Sequence, residues 1–147
     1  MEKIAIAQVS FRMIAADGKV DHEERAITFP IWSKMQITGE HLREAGQMAD
    51  LTSLSIIANM DSNKKRFVAA LLGIIMAADG NIDEKELALW RLVSSMCNLP
   101  TMNLTECPDI IMEFAIGEFY QFNLSSCIRQ QNSLTAQFVS FSLSNLA

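Results

Sequence analysis

Apolar residues in this chain gather into runs that stop at the same short phrase. Residues 64–78, KKRFVAALLGIIMAA, are rich in Ala and Leu and too long for an ordinary strand, so they predict a helix over 63–78. Asp61-Ser62 just ahead suits an N-cap. In the first run, Ile4, Ile6, Val9, Phe11, Met13 and Ile14 alternate with Gln8, Ser10 and Arg12, a spacing that both helix and strand accommodate. The likeness to the second run decides for helix. Each phrase is followed by a second helical stretch, 22–36 (HEERAITFPIWSKMQ) and 84–97 (EKELALWRLVSSMC). In the latter, Leu87, Trp90, Val93 and Cys97 share one face. Pro30 is expected to kink or interrupt the former. Further helices are expected at 40–49, 51–60 and 106–122, with Pro108 in the tolerant first turn of the last.

The phrase itself is MIAADGKVDHEE at 13–24 and IMAADGNIDEKE at 75–86, a repeat of A-A-D-G-x-[VI]-D-x-x-E at an offset of 62 positions. The same offset carries Ile37 onto Leu99 and Leu42 onto Leu104. Two copies are too few for an open solenoid. They predict an all-α, single-domain bundle of about seven helices built from two pseudo-symmetric helix–turn–helix repeats, about 1–60 and 63–122. Residues 123–147 form a separate, nearly uncharged segment. From Phe119 onward only Arg129 carries a charge, and helix, strand and tail all remain open for it.

Turn chemistry accounts for most of the phrase. Gly18 and Gly80 suit the left-handed position that ends a helix. Val20 and Ile82 are expected to anchor the turns in the core. Asp21 and Asp83 suit N-caps, and Glu24 and Glu86, three residues on, complete capping boxes. Glu23 and Glu84 suit the positive end of the helix dipole. Asp17 and Asp79 stand apart, because each carboxylate meets the negative end of the preceding helix at a cost of about 0.3–1 kcal/mol. Three carboxylates thus crowd each corner and call for a counter-charge. Lys19 or Arg25 in the first copy and Lys85 in the second are one source; a hard cation bound by oxygen ligands is the other. The spacing at 79, 81, 83 and 86 resembles the start of a calcium loop, but the glycine is second rather than sixth, so it is not an EF-hand.

Composition narrows the classes. Half the residues are hydrophobic and the net charge is −5, with Lys64-Lys65-Arg66 the only basic cluster, which argues against nucleic acid as a partner. Cys97, Cys107 and Cys127 make an odd count without Cys-x-x-Cys spacing, so reduced thiols are expected rather than disulfides or a zinc site. The N-terminus lacks a signal-peptide pattern, and the apolar run from Phe67 to Ala78 is too short to span a bilayer; a soluble, cytoplasmic protein without membrane contact is expected. His22 and His41, the only histidines, have no Glu three residues before them and fail the di-iron pattern. No nucleophile elbow or phosphate loop is present. The nine methionines, Trp32 and Trp90 read as core fillers before ligand contacts.

A helix ending A-A-D-G-x-[IV]-x-x-x-E, present twice in an all-helical chain of this size, resembles the TerB-like family. That family includes tellurite-resistance proteins and the N-terminal domain of a membrane-anchored co-chaperone. The resemblance covers roughly residues 1–122. It implies an all-α fold whose acidic turns approach each other, a cytoplasmic setting, a metal-binding or stress-response role and no enzymatic activity. By motif match its acidic positions fall on Asp17, Asp21, Glu24, Asp79, Asp83 and Glu86. The chain shows no anchor and no J-domain, so a co-chaperone role is not implied. Two readings follow. In the first, the acids hold a divalent cation, calcium or magnesium before zinc. In the second, they are helix caps, and a groove between the halves or the apolar tail binds a protein partner or a second copy.

Overall fold

A computed structural model describes residues 1–115. Seven helices follow one another there: α1 (Glu2–Ile14), α2 (His22–Lys34), α3 (Gly39–Gln47), α4 (Asp50–Ala58), α5 (Ser62–Met76), α6 (Glu84–Cys97) and α7 (Cys107–Ala115). The fold is all-α, with no strand among the described residues. No helix among them is long and apolar enough to cross a membrane. The expected helix over 106–122 is described only to Ala115, and the segment 123–147 lies outside the described residues.

α5 is the axis of the bundle. Its residues from Phe67 to Met76 are all buried, and α1, α2, α6 and α7 pack around it. That explains its sequence: a helix that faces protein on every side is apolar on every side. α1 is buried all round from Ile4 to Ser10, because it also meets α3 and α4. This is why its apolar pattern lacks a clean helical period. The polar residues inside it are satisfied. Ser10 donates to the Ile6 carbonyl at 2.7 Å and accepts from the Trp32 indole at 3.0 Å, and the Gln8 amide donates to the Met48 carbonyl.

Caps behave as the sequence predicts at Asp61, whose Oδ1 accepts the Lys64 N–H at 2.9 Å. Pro30 does not interrupt α2, which continues to Lys34. Both α2 and α6 end on a left-handed residue, Gln36 (φ 55°) and Asn98 (φ 52°), again 62 positions apart. The next N–H, of Ile37 or Leu99, reaches back to the carbonyl of Trp32 or Ser94 at 2.9 and 3.0 Å. Met13, Met35, Met60, Met76 and Trp32 are buried, as core fillers should be, whereas Trp90 is only partly buried and Met1 and Met96 are exposed.

Candidate functional site

Each phrase builds the same corner. α1 and α5 do not stop at the glycine. They tighten first, with Gly18 N–H bonding the Ala15 carbonyl at 3.0 Å and Gly80 N–H bonding the Ala77 carbonyl at 3.1 Å. The glycines then take φ of +84° and +79°, a conformation that a side chain disfavours by about 1–2 kcal/mol. Asp21 and Asp83 are the N-caps of α2 and α6, both within capping boxes. Glu24 accepts the Asp21 N–H at 3.3 Å and Glu86 accepts the Asp83 N–H at 3.1 Å.

Two expectations need correction. Val20 and Ile82 do not anchor the turns in the core; they are 45% and 41% exposed. The turns project from the bundle, and in the second copy the buried Ala77 and Ala78 supply the packing instead. Asp17 and Asp79 do have a local role. Their Oδ1 atoms accept the backbone N–H of Lys19 at 2.8 Å and of Asn81 at 2.9 Å. Each closes an Asx turn around the glycine, which offsets the unfavourable helix end.

The tertiary fold brings the two corners together at one pair of side chains. Glu24 and Glu86 are 1% and 2% exposed, and their carboxyl groups hydrogen-bond each other. Two buried carboxylates in contact cannot both ionise at neutral pH. Burial first, then the hydrogen bond to Glu86, raises Glu24 from 4.5 to about 8. Burial also raises Glu86, opposed by the hydrogen bond it receives from Glu24. One proton is therefore shared by the pair. Asp21 adds its charge on Glu24, and Asp79 and Asp17 add theirs on Glu86. At the corners Lys19, Arg25 and Lys85 make no ion pair among the described residues, and a shared proton lowers the charge of the pair.

The donor set is all oxygen, which suits a hard cation. Its arrangement does not yet suit one. Among the described residues no three His, Cys, Asp or Glu side chains are grouped to hold a metal ion. Asp17 and Asp79 are turned onto their own backbones. The histidines stand elsewhere. His22 is exposed, and His41 Nδ1 accepts the Thr38 N–H at 3.0 Å in the cap of α3. Cys97 and Cys107 are buried thiols, the latter pushed up to about 12 by burial, so neither is a ready nucleophile or metal ligand. Cys127 lies outside the described residues.

The resemblance implies acidic turns that approach each other, but nothing in the residues singles out Glu24 and Glu86 as the pair in contact, beyond their repetition at the third position of both capping boxes. A groove opens between α1, α2 and α3, within the first repeat.

No protein-family model and no curated protein matches the chain. It is similar to a crystal structure of a protein of unknown function, PG1108, from Porphyromonas gingivalis. The identity is 36%, the TM-score is 0.64, and the match covers 75% of this chain and 86% of that one. At that identity and coverage, the chain belongs to the same family as the Porphyromonas gingivalis protein.

Proposed function

We propose that the chain is a non-catalytic, TerB-like module that binds a divalent cation where its two acidic turns meet. The observation that carries this reading is the buried Glu24–Glu86 pair, with the charges of Asp17, Asp21 and Asp79 acting on it and, among the described residues, no ion pair from Lys19, Arg25 or Lys85. A shared proton relieves the repulsion within the pair, and a cation competes for the same oxygens. Glu24 and Glu86 supply the first ligands, and the flanking aspartates complete the set on leaving their turn hydrogen bonds. Calcium and magnesium suit these oxygens better than zinc, since among the described residues no histidine or cysteine is grouped with the pair. A cation there ties the α1–α2 corner to the α5–α6 corner, and so links ion level to the stability of the bundle. Catalysis is not part of the proposal, because an acid–base pair 1% and 2% exposed offers a substrate no access. The repeated phrase, through its resemblance to the TerB-like family, supports a cytoplasmic role in stress response.

Calorimetry on chelator-treated protein with calcium, magnesium and zinc tests this, beside Asp79→Ala/Asp83→Ala and Glu24→Gln/Glu86→Gln variants. Binding at micromolar affinity that both variants lose while staying helical by circular dichroism is the expected result. No heat with any of the three ions leaves the acids as caps and overturns the proposal.

A further inference from the structure

α1, α2 and α3 leave between them a groove of about 410 Å³, lined chiefly by Ala7, Phe11, Phe29, Trp32, Leu42 and Gly46. Phe11 and Phe29 are each 50% exposed. The polar groups at its edge are engaged elsewhere: Gln8 with the Met48 carbonyl, and Arg12 with Asp50 at 3.1 Å. The groove therefore presents carbon to whatever fills it.

The second repeat shows what the first lacks. The offset of 62 carries Phe11 onto Gly73 and Leu42 onto Leu104. A Cβ at Gly73 would meet Cys107 Sγ at 3.1 Å and Leu104 Cδ2 at 3.4 Å. On α5 that position is closed by the chain that follows it, whereas on α1 it stands open.

We propose that residues 134–147 of this same chain, LTAQFVSFSLSNLA, seat their apolar side chains in the α1–α2–α3 groove. The chemistry matches: no charged residue follows Arg129, and Leu134, Phe138, Val139, Phe141, Leu143 and Leu146 supply six large apolar side chains. Such a segment gains by leaving water for an apolar surface. The reach suffices. The described chain ends beside the start of α5, where Arg66 pairs with Glu113 at 3.2 Å and Phe114 stacks on Phe67 at 4.8 Å. Lys64 joins that same end of α5 to Glu2 of α1 at 2.7 Å. From Glu2 the groove begins five residues along α1, about 8 Å away at the helical rise. Residues 116–133 span up to about 60 Å. A segment on the same chain is also present at an effective concentration of the millimolar order, which favours it over a second copy.

The test uses the full chain in chelator, so it is independent of the cation reading. A nitroxide is attached at Ser140→Cys in a Cys127→Ser background, where Cys97 and Cys107 are buried. The expected result is paramagnetic broadening of the Leu42, Ala45 and Gly46 amides and the Trp32 indole. Exposed Leu92 on α6 is spared, and tenfold dilution changes nothing. Gly46→Glu should abolish the broadening while keeping the fold, because a Cβ at Gly46 meets nothing within 4 Å. Absent or uniform broadening, broadening that fades on dilution, or broadening that survives Gly46→Glu each overturns the proposal. Fading on dilution would identify a second copy as the occupant.

Discussion

α1 and α5 end in the same phrase yet occupy different places. α5 stays buried from Phe67 through Ala78, crossed at Gly73 by the segment that leads into α7. α1 is buried only to Ser10, apart from Met13 and Ile14 on its inner face, and opens to solvent at Phe11 and Arg12. The turns that follow share their glycine conformation, their Asx bond and their capping box. Local chemistry thus repeats with the sequence, while depth depends on what packs from outside.

The largest expected effect lies where the two corners meet. Folded Glu24 keeps its proton to about pH 8, whereas its ordinary value is 4.5. Between those values the folded state binds the extra proton, so stability falls as pH rises. The slope is at most about 1.4 kcal/mol per pH unit, which amounts to several kcal/mol across the interval. Urea unfolding at pH 5, 6.5 and 8 in chelator measures it. Glu24→Gln, neutral at every pH, should flatten the profile; an unchanged slope in that variant would remove the pair as its source.

Next comes burial. Leu71→Ala in α5 should cost about 2–5 kcal/mol, because Leu71 is fully buried at the centre of the bundle. Its counterpart 62 positions earlier, Val9, loses less material and should cost roughly 1.5 kcal/mol. Equal losses in chemical denaturation would mean that α1 is as central as α5.

Smaller still is the turn. Gly18→Ala meets no atom within 4 Å, so its cost is backbone strain alone, about 1–2 kcal/mol, read as a lower thermal midpoint. The smallest effect belongs to the surface. Removing the Arg12–Asp50 pair, which spans 3.1 Å with both side chains more than half exposed, should change stability by less than about 1 kcal/mol. A double-mutant cycle checks it.

Much of the fold was legible. The helix over 84–97 ends where expected, and the N-cap at Asp61 and both capping boxes are present. These features depend on residues within one turn of each other. Gln36 was not legible as a left-handed residue, because Gly or Asn is the usual signal there. Val20 and Ile82 misled, since an apolar residue after a turn glycine fits a core position equally well, and only the direction of the projecting turn shows it exposed. Asp17 and Asp79 stand out in the sequence as carboxylates at an unfavourable helix end, but their bonds to the N–H two residues on depend on the geometry of the folded turn.

What the sequence by itself determined is the set of local instructions: helix runs, glycine turns, caps and their recurrence every 62 positions. These act over a few residues, through backbone sterics and hydrogen bonds of short reach. Only the tertiary structure decided that Glu24 meets Glu86, that α5 becomes the axis, and that Phe11 and Leu42 line an open groove while Leu104 closes over Gly73. The reason is physical. A carboxyl's protonation and a side chain's burial depend on which distant elements exclude water from it, and that is a property of the packed chain as a whole.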